Sequence, residues 1–177
     1  CALSQMPTLR DARGRYSLVS RRMVELQDWT TGNAAAEQDI VVSNLSGNVC
    51  EIIVAAYPYN ANVDALSIRS PVTPSRVKLV CDSVECVSVD TESEIKLIEY
   101  SHGYRPNEFY SGTAYRLVFG SHGSECDRTY QGAMNFSGIS QANLKITFPS
   151  QVTYKVIAVQ LGVTQITSSG RLQQNID

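Results

Sequence analysis

The sequence has no block of like charges and almost no net charge. Fifteen Lys and Arg residues oppose seventeen Asp and Glu residues, which leaves a formal net charge of -2. The densest basic site is the pair Arg21–Arg22, whereas a protein that binds nucleic acid or anionic lipid through its charge needs a basic patch. The composition therefore predicts no direct contact with nucleic acid.

Long apolar runs are also missing. No window approaches the roughly 18 apolar residues of a membrane-spanning helix. The first residues, CALSQMPTLR, contain no signal-peptide hydrophobic region. We therefore expect no membrane insertion.

Residues suited to catalysis or metal binding are scarce. The two histidines, His102 and His122, each stand in a Ser-His-Gly tripeptide. No Gly-x-Ser-x-Gly nucleophile elbow accompanies them, and the spacing of an HExxH metal site is absent. The sequence predicts no enzymatic activity, no metal and no cofactor.

The five cysteines, at positions 1, 50, 81, 86 and 126, lack the paired CxxC spacing of a zinc site. Cys81 and Cys86 both lie in the segment VCDSVEC, so a hairpin would bring them close together. We expect buried free thiols, with a disulfide as the alternative.

Apolar residues alternate with polar ones along much of the chain. Val77, Leu79 and Cys81 share one parity, while Lys78 and Asp82 share the other, which is the pattern of a half-buried strand. Turn signals rich in Gly, Pro and Asn separate such runs at short spacing. The pattern predicts an all-β sandwich or barrel.

Two segments depart from this alternation. Both parities are apolar in VTYKVIAVQLGVTQIT, residues 152–167, and in CEIIVAAY, residues 50–57. For the longer segment, either both faces are covered over part of its length, or a bulge shifts the register near Ile157. A strand covered on both faces lies in the middle of a sheet.

One short helix is predicted over about residues 91–101. Thr91 stands three residues before Glu94, which is the capping-box arrangement. Ile95 and Ile98 fall on one helical face.

The order of the segments TAYRLVFG, QGAMNFSGISQANLKITFP and VTYKVIAVQLGVTQITSSG resembles the closing portion of the major capsid proteins of nucleocytoplasmic large DNA viruses. In that family a loop ends in a Gly-x-x-Asn-Phe-Ser motif, whose positions here are Gly132, Asn135, Phe136 and Ser137. The segments IKLIEYSHGY and GNVCEIIVAAY resemble the short helix and an earlier strand of the family. Departures on both sides of the motif leave virophage and transposon-encoded relatives open.

The motif raises two interpretations, a ligand loop or a turn that directs a strand into a sheet. In the second, which we favour, Gly132 permits a tight turn and Phe136 fills the end of the sandwich. The side chains of Asn135 and Ser137 then satisfy backbone groups where the loop joins the sheet.

The resemblance implies a jelly-roll sandwich of about eight antiparallel strands with one short helix. Residues 1–14 would be a linker or arm and residues 15–177 a single jelly-roll domain, the C-terminal half of a chain that carries another roll before Cys1. The expected strands lie near residues 16–26, 39–44, 49–57, 76–82, 84–90, 112–120, 142–149 and 152–167.

The resemblance also implies a function, that of a structural capsid protein of a double-stranded DNA virus. Three copies of a two-roll chain would form a pseudo-hexagonal homotrimer that tiles an icosahedral shell, beside neighbouring capsomers and minor coat proteins. The protein would reside in the virion capsid after assembly in the host cytoplasm or nucleus. Loop aromatics suited to such interfaces are Tyr57, Tyr59, Tyr104, Phe109 and Tyr110.

Two alternatives remain open at this point. A free-standing single jelly roll, such as a vertex or minor coat protein, would have the same strands without a second roll. A carbohydrate-binding, lectin-like sandwich shares the architecture and presents exposed aromatics, for which Trp29, Tyr57 and Tyr59 are the candidates.

Overall fold

The computed structural model describes residues 9–10, 16–59, 72–90, 114–119, 121–122, 130–166 and 172–175. These residues contain thirteen β-strands and no helix. The strands are β1 Leu9–Arg10, β2 Tyr16–Gly32, β3 Glu37–Val41, β4 Asn48–Pro58, β5 Arg76–Cys81, β6 Val84–Val89, β7 Tyr115–Val118, β8 Ser121–His122, β9 Tyr130–Gln131, β10 Met134–Asn135, β11 Ala142–Thr147, β12 Val152–Ile166 and β13 Leu172–Asn175.

The prediction of an all-β fold is confirmed. Strands β2 to β7, β11 and β12 correspond to the eight predicted strands, and the other five strands are two to four residues long. The predicted helix over 91–101 lies outside the described residues. Within the predicted arm, β1 pairs with the start of β2.

Two antiparallel sheets build the sandwich. The larger sheet has the order β1-β2-β12-β4-β10, with β7 beside β4 and β13 beside β12, and the smaller sheet has the order β3-β11-β5-β6. The eight predicted strands therefore form two sets of four, β2-β12-β4-β7 and β3-β11-β5-β6. Along the chain these strands pass from one sheet to the other, except at the β5–β6 hairpin. This is the jelly-roll arrangement.

The core lies between the two sheets and is almost entirely apolar. The smaller sheet contributes Val77, Leu79, Leu144 and Ile146, all at 0% exposure. The larger sheet contributes Ile52, Val54, Val156 and Ala158, of which none exceeds 1%. Burial of such side chains is the main favourable term in the folding of a domain of this size.

The smaller sheet follows the two-residue period closely. Along β11, buried residues alternate strictly with half-buried ones. Its outer face carries ion pairs between neighbouring strands, including Lys78 Nζ to Glu85 Oε2 at 2.9 Å and Lys145 Nζ to Glu37 Oε1 at 2.8 Å. Sequence alternation predicts this sheet because one face meets the core and the other meets water.

The larger sheet departs from that period at its centre. Ala158, Val159 and Gln160 are consecutive buried residues of β12, so both faces are covered there. The register also shifts near Ile157, because β2 carries extra residues opposite β12. A second shift follows Val159, where Cys50 is the extra residue of β4. Both explanations for the long apolar segment therefore hold: part of β12 is covered on both faces, and its register shifts near Ile157. The extra residues belong to the neighbouring strands β2 and β4.

Candidate assembly surface

The loop before β11 is fastened to the end of the sandwich by Phe136. This side chain is 1% exposed and packs edge-on against Phe119, with ring centroids 5.9 Å apart and an interplanar angle of 64°. Its backbone N–H donates a hydrogen bond to the carbonyl oxygen of Gly47 at 2.9 Å. Phe136 thus lies in the core rather than at a ligand-facing surface.

The polar residues of the motif bind backbone groups. Asn135 Oδ1 accepts a hydrogen bond from the N–H of Ser137 at 2.8 Å, and Ser137 Oγ accepts one from the N–H of Gly47 at 2.8 Å. Gly132 has φ 112° and Gly47 has φ 68°, so both use backbone conformations that favour glycine. Together these contacts join the loop before β11 to the loop before β4.

The exposed aromatic residues that the structure describes gather at one end of the larger sheet. Tyr57 is 37% exposed, Tyr59 is 48% exposed and Trp29 is 49% exposed. The rings of Trp29 and Tyr57 lie 5.7 Å apart at an interplanar angle of 39°. We call these three residues the aromatic patch. Of the other predicted interface residues, Tyr104, Phe109 and Tyr110 lie outside the described residues.

A register shift places Trp29 in the patch. Thr30 pairs with Tyr154 and Gln27 with Val156, so Asp28 and Trp29 together face Lys155. Two strand residues opposite one form a bulge, which re-aims side chains locally. The sequence indicated a register shift near Ile157 but did not indicate which residues of β2 are extra.

A charged cluster borders the patch. Lys155 forms ion pairs with Glu25 and with Asp28, the latter at 3.1 Å. Hydrogen bonds to Glu25 and then Asp28 raise the pKa of Lys155. A backbone hydrogen bond at Trp29, followed by the bond to Lys155, lowers the pKa of Asp28. The charges beside the aromatic patch are thus paired with one another within the chain.

A buried carboxylate lies on β4, where the sequence suggested only apolar packing. Glu51 is 3% exposed, and Arg116 Nη1 lies 3.4 Å from its Oε2. Arg116 comes from the neighbouring strand β7, whose register pairs Arg116 with Ile53. A single Glu inside the run CEIIVAAY was the available signal, because buried carboxylates need a partner.

The chain offers little for catalysis or metal binding in its described portion. Searching those residues for three or more His, Cys, Asp or Glu side chains placed to hold a metal finds no such group. None of the secondary structure in the described ranges is a helix long and apolar enough to cross a membrane.

Comparison with known proteins identifies relatives by structure. No protein-family model matches the sequence, and no curated protein matches it. The capsid of PBCV-1 superposes with a TM-score of 0.60 at 14% identity, covering 92% of this chain and 51% of the other. The major capsid protein of bacteriophage PM2 gives 0.53 at 14% identity, covering 79% and 50%.

The Faustovirus major capsid protein gives a TM-score of 0.51 at 12% identity, covering 84% of this chain and 33% of the other. This chain thus spans about half the length of the PBCV-1 and PM2 capsid chains. The strand order, the sandwich core and these superpositions agree. The chain has the jelly-roll fold of viral major capsid proteins.

Proposed function

We propose that this chain is a structural capsid protein of a double-stranded DNA virus, which works by assembly rather than catalysis. The observation that carries the proposal is the superposition on the PBCV-1 capsid over 92% of this chain. A jelly roll can serve other functions, but the structural neighbours named above are all capsid proteins. The protein would reside in the virion capsid after assembly in the host cytoplasm or nucleus.

The jelly roll of residues 15–177 would be the C-terminal half of a two-roll polypeptide, with residues 1–14 as a linker or arm. In support, this chain covers 51% of the PBCV-1 capsid chain and 50% of the PM2 chain. The coding sequence upstream of Cys1 tests this point. A second strand-rich domain there is expected, whereas its absence would favour a free-standing vertex or minor coat protein.

Assembly would proceed through homotrimers that resemble hexagonal blocks and tile an icosahedral shell. The aromatic patch supports such contacts, because Trp and Tyr are frequent anchors of protein interfaces. The net charge of -2 allows copies to approach closely. Neighbouring trimers and minor coat proteins would be the further partners, with no direct contact to nucleic acid.

Light scattering on the full-length polypeptide at physiological salt tests the assembly. We expect the mass of three copies, and electron microscopy should show further association at high concentration. The double substitution of Tyr57 and Tyr59 to Ser should weaken either the formation of the trimer or the further association of trimers. Val84→Ser, at an exposed apolar residue on the other sheet, is the matched control. A stable monomer at micromolar concentration would contradict the proposal.

The aromatic patch also supports a second candidate function, carbohydrate binding. Sugars stack on exposed aromatic rings, and the tilted pair of Trp29 and Tyr57 presents two such rings side by side. A glycan array with the unsubstituted protein and with Trp29→Ala distinguishes the two functions. Sugar binding by a monomer, lost in the variant, would favour the lectin-like module.

A further inference from the structure

The β5–β6 hairpin places two cysteines close to its turn. Its turn uses Asp82 with φ 47° and Ser83 with φ 68°, and Cys81 pairs with Val84 directly across this turn. Cys86 lies two residues beyond Val84. Cys86 is therefore a diagonal neighbour of Cys81 across the two strands.

A bulge adjusts the position of Cys86. Val80 pairs with Glu85 but Leu79 pairs with Val87, so Cys86 is the extra residue of β6. In a regular ladder, such diagonal neighbours lie about 7–8 Å apart, whereas the Cα atoms of a disulfide are usually about 4.4–6.8 Å apart. Bulges bend the strand locally, and here Cys86 Sγ donates a hydrogen bond to the carbonyl oxygen of Val84, the residue that pairs with Cys81.

The two thiols differ in their access to solvent. Cys81 is buried at 6% exposure, whereas Cys86 is exposed and its Sγ lies 3.6 Å from the carbonyl oxygen of Val84. Both are free thiols in the structure. The exposure of Cys86 departs from the expectation of buried cysteines, because the bulge places it at the sheet surface.

We propose that Cys81 and Cys86 form a thiol-oxidation site that closes to an intrachain disulfide with a small-molecule disulfide as oxidant. The exposed Cys86 thiolate attacks one sulfur of the oxidant, which forms a mixed disulfide and releases one small thiol. The Cys81 thiolate then attacks Cys86 Sγ and displaces the second small thiol. Two protein thiols are oxidised and one external disulfide is reduced to two thiols.

The burial of Cys81 determines how fast the disulfide forms in the second step. Burial, followed by the hydrogen bond with Cys86, raises the pKa of Cys81 to about 11. Only the thiolate is nucleophilic, so the second step is slow at neutral pH. Its rate should rise about tenfold for each pH unit below that pKa.

Closure would join two neighbouring strands of the smaller sheet at its edge. Strand β6 is the last strand of the sheet order β3-β11-β5-β6, and edge strands are the sites at which another chain can add to a sheet. A disulfide would hold the outer strand to β5 independently of its backbone hydrogen bonds. The oxidation site shares no residue with the aromatic patch, and its chemistry does not depend on the proposed capsid function.

The test exposes the purified, folded chain to oxidised glutathione, followed by alkylation, digestion and mass spectrometry. We expect a Cys81–Cys86 cross-link that forms faster as pH rises, is reversed by dithiothreitol and raises the thermal unfolding midpoint. In Cys81→Ser, the reaction should stop at a glutathione adduct on Cys86. Cys50→Ser is the matched control and should close as the unsubstituted protein does.

Three results on the unsubstituted protein would overturn the proposal. The first is a glutathione adduct that persists on Cys86 without closure. The second is a disulfide between the Cys86 residues of two chains, and the third is a disulfide from either residue to another cysteine. None of these readouts depends on a variant that folds.

Discussion

The two sheets of the sandwich differ in which of their faces are buried. The smaller sheet has one face on the core and one that carries cross-strand ion pairs, such as Lys145 with Glu37 at 2.8 Å. The larger sheet instead buries consecutive residues on β4 and β12 and carries the buried Glu51. Regular alternation therefore describes the smaller sheet apart from the bulge at Cys86, while the larger sheet has several register shifts and a covered outer face.

This difference predicts where substitutions will be costly. A side chain on the outer face of the smaller sheet stays in contact with water in the folded protein, so its substitution changes few contacts within the chain. A side chain at the centre of the larger sheet is buried, so its substitution removes packing contacts. Exposed ion pairs contribute little to stability. The predictions below test that contrast, from the largest expected effect to the smallest.

Phe136→Ala should lower the free energy of unfolding by about 3–5 kcal/mol, the range for a large core aromatic. The cause is the loss of a side chain that is 1% exposed and packs on Phe119. Chemical denaturation measures the change. Val84→Ala, at a residue 63% exposed on the smaller sheet, should leave the midpoint almost unchanged. An equal loss of unfolding free energy in the two variants would contradict the contrast between buried and exposed positions.

Ser137→Ala should lower the free energy of unfolding by about 0.5–1.5 kcal/mol, because it removes the acceptor of a partly buried backbone hydrogen bond. The donor is the N–H of Gly47, which donates to Ser137 Oγ at 2.8 Å. Denaturation of the variant is compared with that of Ser140→Ala, at an exposed serine in the same loop. An unchanged midpoint in Ser137→Ala would show that the two loops stay joined without this bond.

Cys50 should make the larger sheet sensitive to alkali. Burial, and next the charge of Glu51, raise the pKa of its thiol from 9.0 to about 11. A raised pKa in the folded state gives stability that is complete below about pH 9 and is lost as pH rises toward about pH 11. Near pH 10 the loss should be about 1 kcal/mol.

Unfolding midpoints across this pH range measure the effect of Cys50. Cys50→Ala should be less stable than the unsubstituted protein at neutral pH but should lose less stability between about pH 9 and about pH 11. Parallel curves for the two proteins would contradict the assignment.

The smallest effect is expected at the exposed pair of Lys78 and Glu85 on the smaller sheet. The hydrogen bond from Lys78, followed by that from Ser88, lowers the pKa of Glu85 below 4.5. Stability from a lowered carboxyl pKa is present above the ordinary value and is lost as pH falls through the folded value. Glu85→Gln should therefore be slightly less stable than the unsubstituted protein at neutral pH, and chemical denaturation should show this small difference vanish as pH falls through the pKa of Glu85.

The eight main strands could be predicted from the sequence because alternation and turn residues are local signals. The strict pattern of β11 and the position of the β5–β6 hairpin are examples. The apolar pattern of residues 152–167 indicated a register shift near Ile157, but the extra residues of β2 and β4 could not be predicted, because their positions depend on the register between two strands. The pairing of Glu51 with Arg116 is likewise a contact between segments that are distant in sequence.

The candidate site was predictable in part. Tyr57 and Tyr59 stand in a segment rich in Pro and Asn, which indicates an exposed turn. The contact of Trp29 with Tyr57 follows from the bulge opposite Lys155, and only the structure reveals that bulge. The oxidation site depends on the same kind of feature, an extra residue at Cys86.

The central place of β12 has a consequence for how the chain folds during synthesis. Of the eight sandwich strands, β12 is the last to leave the ribosome, yet it lies between β2 and β4 and pairs with both. Until residues 152–166 emerge, β2 and β4 lack the neighbour that joins them. The backbone N–H and C=O groups along these edges have their pairing partners about a hundred residues later in the chain. Folds dominated by such distant pairings form slowly, so the larger sheet should be completed only after translation of β12.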